Sequence, residues 1–179
     1  MVTTYQAVGA ISARVGYPIK RVRHVARELT EAGTIPAGAP GKSPEINLIH
    51  FLDILIGSAL DVPLRSIATS VAAYKALGEP GHDASNMPAS VRAKYRTAEA
   101  VINRLAIDLE GDKALAKLKI EIVTSWPEVA IFDADGVIFR FREAGALHGN
   151  WQHSGHRTST TINGAAIAAA IRDLFGDNK

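Results

Sequence analysis

Lys20, Arg23, His24 and Arg27 follow one another at helical spacing. On one helix these positions share a face, because residues three and four apart lie side by side. Cations so arranged can hydrogen-bond phosphate oxygens, and an arginine fork can engage guanine O6 and N7 together. The chemistry on offer is recognition of double-stranded DNA rather than bond-making. On the opposite side of the same wheel lie Ile19, Val22, Ala26 and Leu29, with Val25 beside them. Apolar anchoring behind and donors in front are what entry of a helix into the major groove requires. Arg14, Tyr17, Arg21 and Lys42 flank the face and complete the candidate DNA contacts, Arg14 and Lys42 being suited to phosphate.

Two other groupings offer chemistry of a different kind. The stretch Ile131-Phe-Asp-Ala-Asp-Gly-Val-Ile-Phe139 resembles the first motif of haloacid-dehalogenase-like phosphatases. That resemblance implies a nucleophilic Asp133 and an acid/base Asp135. Such enzymes also need a downstream lysine and a carboxylate pair for magnesium. After Phe139 the chain supplies Glu143, Asp173 and Asp177 but no paired carboxylates and no internal lysine. Asp-Ala-Asp-Gly is better read as a hairpin turn, where Asp bonds its own backbone and Gly takes positive φ. His148, His153 and His156 lie near Trp151, and imidazoles can bind zinc. They fall in a Gly-rich loop with no helix to align them, so the reading is a loop and no metal site. No phosphate-cradling loop, G-x-G-x-x-G or G-x-S-x-G occurs. The expectation is a protein that is not an enzyme and takes no cofactor.

Charge placement supports the first grouping. The chain carries a net charge of only +2, yet residues 1–44 hold Arg14, Lys20, Arg21, Arg23, Arg27 and Lys42 against Glu28 and Glu31. Positive charge gathered at one end is the footprint expected for phosphate. With 179 residues, 47% apolar and 21% charged, the chain can bury a real core and is not disordered in bulk. The absence of cysteine excludes disulfides, thiolate metal sites and a cysteine nucleophile. The N-terminus lacks the basic and apolar regions of a signal peptide. The most apolar stretch, Ile46 to Leu60, is too short to span a bilayer and contains Asn47, His50 and Asp53. These features predict a cytoplasmic protein without a membrane partner.

The elements that must position the basic face can be read in order. Thr3 or Thr4 caps a helix to about Val15 that ends at Gly16, and Pro18 opens a second helix that stops at Gly33. Residues 34–44 hold three prolines and two glycines and form a loop. A helix from about Glu45 to Leu60 is apolar nearly all round, so it is buried on every side, in part against a second subunit. Asp61 caps and Pro63 starts a further helix with Leu64, Ile67, Val71 and Tyr74 as its stripe. A long helix is expected over 88–109. Leu118–Thr124, Val129–Asp133 and Val137–Arg142 read as strands, with a fourth over Arg157–Ile162 and a last helix capped by Asn163. The expected fold is mainly α with a C-terminal α+β segment, divided at 1–44, 45–110 and 111–179.

The stretch Arg27-Glu-Leu-Thr-Glu-Ala-Gly-Thr-Ile35 resembles the exit of the recognition helix in winged-helix regulators of the MarR-like and GntR-like families. Over residues 5–45 the resemblance implies a helix-turn-helix, DNA as partner and a regulatory role. A wing hairpin is not expected, because residues 36–44 are too rich in Pro and Gly, and Lys42 would sit at the tip of a loop instead. The order of parts is also similar to that of phage small terminase subunits, which implies DNA packaging as the alternative. Either reading implies self-association, as a dimer or a ring. Helices 45–60 and 88–109 are the expected interface of a dimer.

Overall fold

The computed structural model describes residues 1–39, 44–79, 96–111, 115–146 and 154–176. Among them are six α-helices and two small antiparallel sheets, a mixed α/β chain whose N-terminal part is α-rich. No helix among the described residues is long and apolar enough to cross a membrane.

The chain opens with a short strand β1, Val2–Thr3, and helix α1, Thr4–Ala10, which widens into a π-helical turn at Ile11–Val15. Thr3 is the cap: its hydroxyl accepts the Gln6 N–H, and the Gln6 side chain accepts the Thr3 N–H at 2.8 Å. Gly16, at φ +91°, closes the turn, which a side chain would strain. Helix α2 spans Ile19–Glu31 and buries Val22, Val25, Ala26 and Leu29. Ile19 does not join that apolar face; it is 44% exposed at the start of the helix. Gly33 (φ +73°) lets Thr34 and Ile35 turn back onto the Leu29 carbonyl. Strand β2, Glu45–Ile46, then pairs with β1, Ile46 against Val2. Here the sequence reading is corrected: residues 45–46 are strand, not helix, because the returning chain pairs with the N-terminus. Asn47 therefore caps the next helix, its side chain accepting the His50 N–H at 3.0 Å.

Helix α3, Leu48–Ala59, is buried at every position from Phe51 to Ala59. Its cover comes from its own chain. It packs on α2 and on α4, Ile67–Ala76, and Phe51 meets Phe175 edge to face at 6.1 Å. The expectation that helix 45–60 supplies a subunit interface is therefore narrowed: from Phe51 to Ala59 the helix is covered within its own chain, and only its first turn, with Ile49 43% exposed, keeps apolar surface open. Gly57 sets the approach: a Cβ there would lie 2.8 Å from Val25 Cγ1 and 3.3 Å from methyls of Ile67 and Val71. Pro63 precedes a single 3₁₀ turn, Leu64–Ser66, so α4 begins later than Asp61 and Pro63 suggest. Helix α5, Ala98–Gly111, is also shorter than expected. Thr97 caps it by accepting the Ala100 N–H, and Arg96 and Thr97 are extended because Glu79 and Ala98 bond across to them and Leu77. Residues 80–95 lie outside the described part.

The last helix, α6, Gly164–Phe175, returns to the N-terminal end and packs on α1, its π turn and α5. Ile167, Ala168, Ala170 and Ile171 join one core cluster that also holds Val8, Ile11, Phe51 and Ile131. The segments 1–44, 45–110 and 111–179 thus share a single core.

The second sheet has the order β5-β4-β3-β6, all antiparallel, with β3 Lys119–Val123, β4 Glu128–Phe132, β5 Val137–Arg142 and β6 Ser159–Asn163. Asp133 Oδ1 accepts the N–H groups of Asp135 and Gly136, so Asp-Ala-Asp-Gly is the β4–β5 turn. Ile120, Ile122, Val129, Ile131, Phe141 and Ile162 are buried in the shared core, and the Tyr74 hydroxyl ties α4 to the Val123 carbonyl. The other face holds a charge network. Arg157 reaches Glu121 at 2.6 Å and Glu128 at 2.9 Å, and Arg142 reaches Glu128 at 2.7 Å. Burial pushes both carboxyls upward, but the guanidinium hydrogen bonds and charges outweigh it and hold both below the usual range.

Two outcomes follow from this packing. Gly57→Val should cost about 2 kcal/mol or more by overpacking against Val25, read as a fall in melting temperature of roughly 4–8 °C. A carboxylate with a lowered folded-state pKa contributes stability above its unfolded value, here 4.5, and loses it as the pH falls through the folded value. Urea midpoints should therefore drop between neutral pH and pH values below that range. Arg157→Gln should make the drop shallower while costing about 3 kcal/mol at neutral pH.

Candidate nucleic-acid interface

Because Val22, Val25, Ala26 and Leu29 are fixed in the core, the helical period turns Lys20, Arg23, His24 and Arg27 outward, and all four are exposed. The side chains of Lys20, Arg23 and His24 make no hydrogen bond or ion pair among the described residues. Arg27 donates to Glu31 one turn on, at 2.6 Å, in a pair that is itself exposed. Such a surface pair is readily exchanged for a phosphate. Beside this face runs a groove between α1 and α2, lined by Tyr5, Val8, Arg23, Arg27 and Thr30 among others. Tyr5 is 75% exposed at its rim. The face therefore offers cations, an aromatic ring and the exposed Ile19 side chain together.

The flanking candidates are placed differently. Arg21 turns away from the basic face and donates to the carbonyls of Leu60, at 2.6 Å, and Val62, at 3.4 Å. It is a structural residue that satisfies carbonyls just beyond α3, where a cation is favoured by the helix dipole. Tyr17 is half-buried with its hydroxyl enclosed, and burial pushes its pKa up to about 12. It packs against the core rather than presenting its hydroxyl. Arg14 forms a two-bond pair with Asp173 of α6, at 2.6 and 3.2 Å. Lys42 lies outside the described residues, as do His148 and His153; His156 is described and exposed.

Sequence spacing therefore finds the outward set Lys20, Arg23, His24 and Arg27 and misses Tyr5 and Ile19. Ile19 has the right period for the core but sits one turn beyond its edge. Tyr5 precedes the apolar positions Val8 and Ile11 and gives no sign that it faces a groove. Among the described residues no cluster of histidine or carboxylate side chains is arranged to hold a metal ion. A triad, Asp53–Lys75–Glu99, runs from the buried Asp53 to the half-exposed Glu99 within the helical half, with Lys75 Nζ 2.7 Å from Asp53 and 3.0 Å from Glu99. It joins α3, α4 and α5 and does not reach the basic face.

These placements separate stability from surface function. Arg21→Ala should cost about 1–3 kcal/mol in chemical unfolding, because two part-buried carbonyls lose a charged donor. Arg23→Ala should leave the unfolding free energy within about 0.5 kcal/mol of the parent.

No protein family, curated protein or solved structure matches the chain.

Proposed function

We propose that this protein binds double-stranded DNA, with α1 and α2 acting as a helix-turn-helix and α2 entering the major groove. One observation carries the reading. Lys20, Arg23, His24 and Arg27 form a continuous exposed row on a helix whose opposite face is locked in the core. A helix held in this way presents its donors at fixed positions, which base readout needs and which a mobile basic tail cannot give. Arg23 and Arg27 are the base-reading candidates, because each carries a planar fork that fits guanine. Lys20 is the phosphate contact. Arg14 joins it only by leaving Asp173, an exposed pair that can open. The role assigned is that of a transcriptional regulator, since a rigid reading helix suits choice among sequences more than bulk coating of DNA.

Binding to a labelled random duplex, followed by fluorescence anisotropy, tests the reading. Affinity should be present at low salt and fall steeply as salt rises, because phosphate contacts release counterions. Lys20→Ala should reduce the slope of log affinity against log salt by about 1, alike on every sequence. Arg23→Ala and Arg27→Ala should each weaken a selected site roughly tenfold or more while leaving random duplex less affected. Lack of binding at low salt would sink the proposal.

A further inference from the structure

The four-stranded sheet has two edges, and the chain treats them differently. At the β5 edge Arg142 exchanges both backbone hydrogen bonds with Gly78, at 3.0 and 3.1 Å. Glu79 in turn bonds the Arg96 carbonyl, so the Arg142 end of that edge is met by further extended chain. The β6 edge has no such neighbour among the described residues.

Register shows which backbone groups are left over. Thr124 donates to the Thr158 carbonyl at 2.8 Å, and Gly164 donates to the Leu118 carbonyl at 2.7 Å. In the same register Thr160 and Ile162 turn their backbone groups toward Ile122 and Ile120 of β3. Ser159, Thr161 and Asn163 therefore aim theirs at the open side, and all three residues are exposed. Sheet edges are ordinarily blunted by lysine, proline, a bulge or a covering segment. Thr158-Ser-Thr-Thr-Ile-Asn163 contains neither lysine nor proline, and its pairing with β3 is regular throughout.

We propose that a second copy of this chain pairs here, β6 against β6 and antiparallel, about a two-fold axis at Thr161. The chemistry of the strand favours itself as occupant. Reversal about Thr161 sets Thr161 opposite Thr161, where the two residues exchange both backbone bonds, and sets Ser159 opposite Asn163. Thr160 then faces Ile162 on the core side of each sheet. Cross-strand pairs of hydroxyl and β-branched side chains are favourable. No ionisable side chain lies in the paired stretch, and Arg157 beside it is held by Glu121 and Glu128. Two copies therefore meet without like charges, whereas a charged peptide would find no counter-charge. Such an interface is isologous and closes at two copies. It is independent of the DNA reading and replaces the interface expected of α3, which is buried in its own chain from Phe51 to Ala59.

Sedimentation equilibrium of the full chain without DNA tests the pairing. The parent should show twice the 19.1 kDa chain mass. Thr161→Lys should be monomeric, because two lysines would face each other across the axis. Thr161→Pro serves as the second variant: it removes only an outward N–H and leaves the β3 ladder intact. Both should keep the parent far-ultraviolet circular dichroism, and Arg23→Ala should keep the dimer mass. A parent that is monomeric at every concentration overturns the proposal. So does a dimer that survives both substitutions, or a parent mass above two copies.

Discussion

Gly57 and Val25 touch where no side chain on Gly57 would fit, and through that contact α2 lies against α3. A helix buried at every position from Phe51 to Ala59 tolerates no water on any side, so the rest of the chain has to enclose it. Helix α2 covers one side, α4 another, and α6 closes the end with Phe175 on Phe51. The basic face of α2 inherits its orientation from this arrangement. Its apolar residues are fixed against α3, and the helical period dictates where its cations point. Arg21 strengthens the same junction by bonding the carbonyls that α3 leaves at its end.

Charge in this molecule falls into two populations with different physics. Inside, carboxylates are met by cations: Asp53 by Lys75, and Glu128 by Arg142 and Arg157. A charge taken out of water is costly unless paired, and the two clusters respond differently. Burial raises the Asp53 pKa despite Lys75, whereas the arginines around Glu128 outweigh burial and lower it. Outside, the cations of α2 remain hydrated and cost the fold little. Lys20 and Arg23 stay exposed, Arg27 meets only the exposed Glu31, and Arg21 alone of these cations is an internal brace.

Much of the architecture is legible in the residues. The Thr3 cap, Gly16, Gly33, the Asp133–Gly136 turn and the Asn163 cap all mark boundaries by local chemistry, and the structure keeps them. The strand Lys119–Val123 follows from period-two alternation for the same reason. Boundaries set by distant partners were illegible. Glu45 and Ile46 have helical company in sequence but form a strand because Val2 and Thr3 lie alongside. Arg96 and Thr97 are extended because Leu77–Glu79 pair with them. In the candidate interface, spacing alone identifies Lys20, Arg23, His24 and Arg27. It cannot tell that Arg21 turns inward, because the carbonyls it serves lie some forty residues away at Leu60 and Val62.

By itself the sequence determined which helix is amphipathic, which of its residues are cations and where its ends lie. Those properties depend on neighbours within a turn or two. Tertiary structure alone decided which apolar surface is closed and which edge has no neighbour among the described residues. The all-apolar helix looks like an interface until α1, α2, α4, α5 and α6 are seen to cover it. The hydroxyl-rich strand looks ordinary until register shows its backbone groups facing outward. Burial and free hydrogen-bonding capacity are properties of what packs alongside, and residues far apart in the chain supply that packing.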